Sequence, residues 1–246
     1  MRFFVTGGSR GLGARIVVDV CAAGHDVAFT YHRNEAQAQG VVQKALALRP
    51  SAVCLPYQLD VRDSAATEEV VDRAVEALGG LEVLVSNAGV NLGGLLVSLS
   101  DEEWEEVIDT NLTGAFHVCR QILPVLLAAR FGRIVFVSSV GKDGGLGQAA
   151  YSASKAGLSG LSAAISKEYG RKGITSNVLV LGVFDTDMTR EGLSQRNREF
   201  WDAYCPAGRI GSLTDVSQAV LFLASPDSGF VTGTELRLTG GLDWTP

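Results

Sequence analysis

The sequence predicts an α/β fold, a doubly wound seven-stranded parallel sheet with helices on both faces. Three observations point there. Short apolar runs recur along the 246 residues and alternate with helical stretches of a dozen residues or more. Most of these runs are apolar throughout, as strands covered on both faces are. The first run ends in glycines that lead straight into a helical segment. Right-handed crossovers between parallel strands then wind the sheet both ways.

The elements follow in order. RFFVT (2–6) is the first strand, and residues 12–23 are the first helix. HDVAFTY (25–31) is the second strand, followed by a helix over 35–49 that Pro50 ends. AVCLPYQLD (52–60) is the third strand, although Pro56 cannot donate to a ladder. Residues 64–78 are helical and stop at Gly79-Gly80, a common helix ending. LEVLVSN (81–87) is the fourth strand, residues 101–130 a long helical region, and GRIVFVSS (132–139) the fifth strand. A helix over 150–171 precedes the sixth strand, TSNVLVL (175–181). Residues 214–224 are helical and GTELRLT (233–239) is the seventh strand.

Composition excludes several classes. Hydrophobic residues make up 46% of the chain, enough to bury a core. A net charge of −6 and a pI of about 5.1 argue against a general nucleic-acid binder. Cys21, Cys54, Cys119 and Cys205 are far apart and form no C-x-x-C pair. That is neither a disulfide framework nor a zinc site, and it suits a reducing cytoplasm. MRFFVTGG has too short an apolar run for a signal peptide, and no run reaches the length of a membrane span.

Ligands of doubly wound sheets bind outside the carboxyl ends of the strands. VTGGSRGLG (5–13) lies there, between strand one and helix one. Gly7, Gly11 and Gly13 allow a tight turn and close approach of a pyrophosphate, and the helix N-terminus beyond them, with Ser9 and Leu12 in the same loop, offers free amides. The spacing G-x-x-x-G-x-G differs from the common G-x-G-x-x-G, and a plain turn is the competing explanation. An NAD site places Asp or Glu at the tip of strand two, for the ribose 2′-hydroxyl. Here the tip reads TYHRNE. Arg33, with Arg10 from the glycine loop, is placed for a 2′-phosphate, which a guanidinium meets in a bidentate manner. The expected cofactor is therefore NADPH/NADP+, with Glu35 as the contrary sign and two solvated surface arginines as the alternative.

YSASK sets Tyr151 and Lys155 one helical turn apart on one face. A nearby ammonium favours a phenolate, and a tuned tyrosine is a proton donor for a carbonyl under reduction. Alone, Y-x-x-x-K is common by chance. Here SNAG (86–89), Asn111 and Ser138-Ser139 fall on the same predicted sheet edge.

With TGGSRGLG, Asp60, NAG, Asn111, Ser139, Tyr151 and Lys155 in order, the chain resembles the short-chain dehydrogenase/reductase family over essentially its whole length. The resemblance implies a single-domain Rossmann fold over residues 1–246 with a substrate lid at about 186–206. Tyr151 would protonate the substrate oxygen. Lys155 would hold the nicotinamide ribose and depress the tyrosine's pKa. Ser139 would hydrogen-bond the carbonyl, and Asn111 would bend its helix around a proton-relaying water. Asp60 and Val61 resemble the pair that holds adenine. Asn87, Ala88 and Gly89 resemble the wall beside the ribose, and Thr186 the hydroxyl under the carboxamide. ITSNVLVLGVFDTDMT (174–189) then reads as the floor of the nicotinamide site. Aligning strand five selects Ser139, whereas counting back thirteen residues from Tyr151 selects Ser138. Ser86 and Leu181 depart from the family's usual Asn and Pro.

Within the family, DEEWEEVIDTNLTGAFHVCR, GQAAYSASKAGLSG, PAGRIG and VTGTELRLTGG resemble the 3-oxoacyl-[acyl-carrier-protein] reductases. This implies an acyl carrier protein as partner, bearing a β-ketoacyl thioester. Arg130, Arg171 and Lys172 match the reductases' basic residues near the site, on which the acidic carrier docks, and Gln148 matches a substrate contact. Ordinary helix-end cations explain the same charges. The resemblance further implies a homotetramer or pairing with a related subunit. A reductase of free ketones and a non-catalytic dinucleotide-binding subunit stand as alternatives, the intact Tyr-Lys pair arguing against the second.

Overall fold

Alternate residues of a strand face opposite ways, and in this protein both faces of the strands are apolar. On β1 (Arg2–Val5), Phe3 and Val5 face one core and Phe4 the other. The structure, a computed structural model, describes residues 1–185 and 195–243. The other strands are β2 (Asp26–Tyr31), β3 (Cys54–Gln58), β4 (Val83–Ser86), β5 (Gly132–Ser139), β6 (Ile174–Leu181) and β7 (Glu235–Leu238). They form one parallel sheet in the order β3-β2-β1-β4-β5-β6-β7. Pro56 is accommodated because β3 is an edge strand, with partners on one side only.

The helices are α1 (Gly11–Ala22), α2 (Glu35–Leu48), α3 (Ser64–Leu78), α4 (Asp101–Ile108), α5 (Gly114–Ala129), α6 (Ala149–Tyr169), α7 (Gln195–Tyr204) and α8 (Leu213–Ala224). Helices α1, α2 and α8 pack on the face that carries Phe3, Val27, Phe29, Val85 and Val135. Helices α3, α5 and α6 pack on the opposite face, against Phe4, Leu84, Ile134, Phe136 and Val178.

Between α4 and α5 a π-helical turn, Asp109–Thr113, continues the backbone without a break. The resulting 29-residue run Asp101–Ala129 is long and apolar enough, by length and composition alone, to cross a membrane. This corrects the expectation that no segment reaches that length. The run exceeds it because two helices join through the π turn. Its apolar side chains Val107, Ala115, Val118, Ile122 and Leu126 are buried in the fold. Most of them pack against the sheet as an ordinary core helix does.

Candidate active site

The strand order reverses direction between β1 and β4, which opens a crevice at their carboxyl ends. The glycine loop lies in it. Gly7 has φ 67°, and a Cβ added at Gly13 would lie 2.1 Å from the Gly7 carbonyl oxygen, so the start of α1 packs directly on the loop. Arg10 caps α1 without a side-chain hydrogen bond, and the first turn carries no acid. Within α1 and its cap, the positive helix end is therefore uncompensated. Leu12 turns inward onto the core. Ser9, Arg10 and Gly11 line a groove of about 660 Å³ that continues past Lys44 and Asp185.

Thr6, which the sequence analysis did not single out, joins the two sides of the crevice. Its Oγ1 accepts from the amides of Asn87 and Ala88, each at 2.9 Å. Asn87 Nδ2 donates back to the carbonyls of Thr6 and Gly7 at 3.0 and 3.1 Å. Thr30 Oγ1 accepts from the Gly7 amide at 3.2 Å. A polar residue at the tip of a buried strand, just before the glycines, was the available signal for Thr6.

At the tip of β2, His32 and Arg33 are exposed, and Asn34 caps α2 by accepting from the Gln37 amide. Asp60 is held by Arg62 at 2.6 Å, with His32 Nε2 at 3.6 Å. The Arg62 guanidinium keeps the Asp60 carboxyl below the usual carboxylate range. Val61 is buried beneath Gly114, with His117 Nδ1 3.2 Å from its carbonyl oxygen.

Asn111, Ser139, Tyr151 and Lys155 converge beside this crevice. Asn111 sits in the π turn, almost fully buried. Its Oδ1 accepts from the Val90 amide at 2.8 Å, and its Nδ2 donates to the Val90 carbonyl and to Ser154 Oγ at 2.9 and 3.0 Å. Ser154 in turn donates to the Tyr151 carbonyl at 2.8 Å. The segment after β4 is thereby clamped to α6. A Cβ placed on Gly89 would lie 3.0 Å from Asn111 Oδ1 and 3.4 Å from Lys155 Nζ. Gly141 borders three candidates at once: a Cβ there would lie 3.0 Å from Gln148 Oε1, 3.2 Å from Tyr151 Cε1 and 3.4 Å from Ser139 Oγ.

The two serines that end β5 face different ways. Ser138 is buried and donates to the Lys155 carbonyl at 3.1 Å. Ser139 accepts from the Gly141 amide at 3.1 Å and hydrogen-bonds the Tyr151 phenol. Burial pushes the Tyr151 phenol above its ordinary value, and the Ser139 hydrogen bond acts in the opposite direction. Lys155 Nζ donates to the Val137 carbonyl at 2.8 Å and lies 5.8 Å from the tyrosine ring centroid. The ammonium is thus turned to the β5 backbone.

Burial pushes the Lys155 ammonium down to about 8 from 10.5. In the unfolded chain the lysine keeps its proton up to the higher value, so between these limits the unfolded state binds more protons. The stability of the cofactor-free protein, measured against a Lys155→Met variant by urea titration, is expected to rise by about 2–3 kcal/mol from pH 8 to pH 10.5. A flat difference across that range would show that the ammonium carries no burial cost.

The three proposed docking cations are elsewhere. Arg130 caps the end of α5, and Arg171 and Lys172 lie in the turn before β6. These segments touch, since a Cβ at Gly173 would lie 2.4 Å from the Arg130 carbonyl oxygen. Both lie at the amino ends of β5 and β6, roughly 23 Å of strand from the carboxyl edge. Within one chain they therefore lie at the edge opposite Tyr151: α5 and α6 run antiparallel to the strands, so their ends return to that edge. Thr186 and the lid residues 186–194 lie outside the described residues. Among the described residues, no group of three His, Cys, Asp or Glu is placed to hold a metal ion.

A short chain dehydrogenase family model matches residues 2–197, and the chain belongs to that family of oxidoreductases, which use a nicotinamide dinucleotide. Among its relatives, 3-oxoacyl-[acyl-carrier-protein] reductase FabG of Escherichia coli is 38% identical over 240 residues, 97% of this chain and 95% of the relative. An acetoacetyl-CoA reductase of Rhizobium meliloti is 39% identical over 238 residues, 96% of each chain. The crystal structure of levodione reductase superposes with a TM-score of 0.93 at 28% identity, over 98% of this chain and 97% of that one.

Proposed function

We propose that the protein reduces a β-ketoacyl thioester, carried by an acyl carrier protein, to the (R)-3-hydroxyacyl form with NADPH. The observation that carries this reading is the convergence of Ser139, Tyr151, Lys155 and Asn111 at one sheet edge, against the glycine loop. The names of the FabG and acetoacetyl-CoA relatives supply the substrate class.

The residues present fit a dinucleotide. The uncapped start of α1 and the amides of Ser9–Gly13 would take the pyrophosphate, Arg10 and Arg33 the 2′-phosphate, Asp60 and Val61 the adenine, and Lys155 the nicotinamide ribose. Asn87, Ala88 and Gly89 would wall the ribose, and Thr186 would hold the carboxamide. When bound, NADPH supplies a hydride to the substrate's carbonyl carbon. Ser139 donates a hydrogen bond to the carbonyl oxygen, where negative charge develops. Tyr151, neutral at physiological pH because burial raises its phenol, delivers the proton to that oxygen. Asn111 holds the π turn and, through Ser154, sets the position of α6. Gln148 borders the substrate side. The proposal extends to one domain over 1–246 with a lid at about 186–206, acting in the cytoplasm as a homotetramer or paired with a related subunit.

A second reading, a reductase of free small ketones, is favoured by the distance of Arg130, Arg171 and Lys172 from the site in this chain. Following NADPH oxidation with acetoacetyl thioesters, carrier-bound and free, against a panel of ketones and quinones separates the two. The thioesters are expected to be turned over with the higher kcat/KM.

Arg33→Asp is expected to move cofactor preference toward NADH, because a carboxylate repels the 2′-phosphate and accepts from a 2′-hydroxyl. Comparing kcat/KM for the two cofactors checks this; equal wild-type values would remove the basis for NADPH.

A further inference from the structure

Ser139 can act on a carbonyl only if its hydroxyl proton points toward it, and the turn that follows controls this. The 3-10 turn Val140–Asp143 leaves β5 directly after Ser139. The Gly141 amide donates to Ser139 Oγ at 3.1 Å, which occupies a lone pair and leaves the hydroxyl proton free to donate. The direction of that proton therefore depends on where Gly141 stands. Val140 holds one side of the turn in the core. On the other side the chain runs into Gly144, with φ 110°, and Gly145, where no side chain can pack.

Lys142 supplies the second hold. Its side chain is only 13% exposed, and its Nζ lies 3.0 Å from Asp143 Oδ1 and 3.1 Å from Glu235 Oε1. Glu235 begins β7, and β6 separates that strand from β5, so no ladder joins the two. Lys142 spans the gap. The carboxylate is fixed in its turn, because Ser159 Oγ on α6 donates to the same Oε1 at 2.6 Å. One oxygen thus meets both the turn that orients Ser139 and the helix that carries Tyr151. Arg237, also on β7, donates to Asp143 Oδ2 at 2.6 Å and lies 3.7 Å from Asp243 Oδ1. An ammonium shielded to this degree is screened less than a surface cation. Burial alone would lower the Lys142 ammonium, but the hydrogen bonds to Asp143 and Glu235 prevail and hold it above the ordinary lysine value.

We propose that Lys142 is a positioning residue for carbonyl reduction: its ammonium, bridging Asp143 and Glu235, pins the turn after β5 to the edge strand β7 and to α6, and so sets the direction in which Ser139 donates. Lys142 acts through Gly141 and Ser139, a role that rests on Ser139 meeting the carbonyl as proposed above. Without the ammonium, α6 keeps its contact with Glu235 through Ser159. The turn loses its only side-chain link to Glu235, and Asp143 keeps Arg237 alone. The cost of the loss therefore falls on Ser139 rather than on Tyr151.

The test follows NADPH oxidation by the full chain with acetoacetyl-CoA as substrate. Lys142→Met keeps most of the stem and removes the charge. Its kcat should fall about 10-fold or more, since a misplacement of about 1 Å costs up to about 10²-fold. NADPH affinity, read by fluorescence titration, should stay at the wild-type value. Lys142→Arg, whose fork can meet both carboxylates, should recover most of the loss. Glu235→Gln breaks the ion pair from the β7 side, can still accept from Ser159, and should reproduce the fall in kcat with the turn's own sequence intact. In a Ser139→Ala background, Lys142→Met should add no further loss, whereas a general loss of packing would slow both backgrounds alike. The proposal is overturned if Lys142→Met keeps the wild-type kcat, if Lys142→Arg is as slow as Lys142→Met, or if Lys142→Met slows Ser139→Ala by the same factor as wild type. A slow Ser139→Ala beside a fast Lys142→Met overturns this proposal alone. A Ser139→Ala as fast as wild type overturns the role of Ser139 and this proposal with it.

Discussion

Tyr151→Phe is expected to lower turnover of an acetoacetyl thioester by about 10²–10⁴-fold, the usual contribution of a general acid. The variant removes one hydroxyl and keeps the ring, so α6 and its clamp through Ser154 and Asn111 stay in place. NADPH affinity, measured by fluorescence titration, should change little, because the phenol is not the main anchor for the dinucleotide. The pH profile carries a second signature. Burial holds the phenol above its ordinary value. Wild-type reduction should therefore be level through neutral pH and decline only on the alkaline side, as the donor loses its proton. Turnover within a few-fold of wild type in Tyr151→Phe would mean that another group delivers the proton. If the wild type also bound NADPH but reduced nothing, the non-catalytic subunit reading would replace the enzyme.

Ser139→Ala is expected to cost about 10²–10³-fold in kcat, as loss of one hydrogen-bond donor to a developing oxyanion does. Ser138→Ala, one residue away, should stay within a few-fold. Ser138 is committed to the Lys155 carbonyl inside the protein, so its removal is felt as about 1 kcal/mol of stability. Ser139 stands beside Gly141 and hydrogen-bonds the phenol. Its loss should also move the alkaline limb of the pH profile further up, because the hydrogen bond that opposes burial is gone. Equal kinetic losses in both variants would deny a specific oxyanion contact by Ser139.

The order of elements was legible because it rests on local patterns. Continuous apolar runs marked the strands, and Gly79-Gly80 marked the end of α3, where Gly79 takes the left-handed conformation. Other points depend on neighbours. Pro56 weakened the reading of β3 until its edge position removed the missing donor from consideration. The length of the helical run Asp101–Ala129 depended on a π turn holding two helices in line. The candidate site was legible in part. The spacing of Tyr151 and Lys155 places both on one helix face, since one turn of helix separates them. The pairing of Thr6 with Asn87 and Ala88, and of Asn111 with Ser154, joins residues far apart in sequence, and no local pattern signals it.

The sequence by itself determined the parallel sheet, most of its helices and the family, but not α7 within the lid. It also placed the glycine loop after the first strand, because these features follow from periodicity and short-range spacing. Only the tertiary structure decided where directional groups point. It turned Ser138 inward and Ser139 toward Tyr151, and it aimed the Lys155 ammonium at the Val137 carbonyl in a site where burial lowers its pKa. It also sent Arg130, Arg171 and Lys172 to the far edge of the sheet. The physical reason is common to all of these. A side chain's hydrogen-bond partner and desolvation are set by residues that the crossovers bring together, not by its neighbours along the chain.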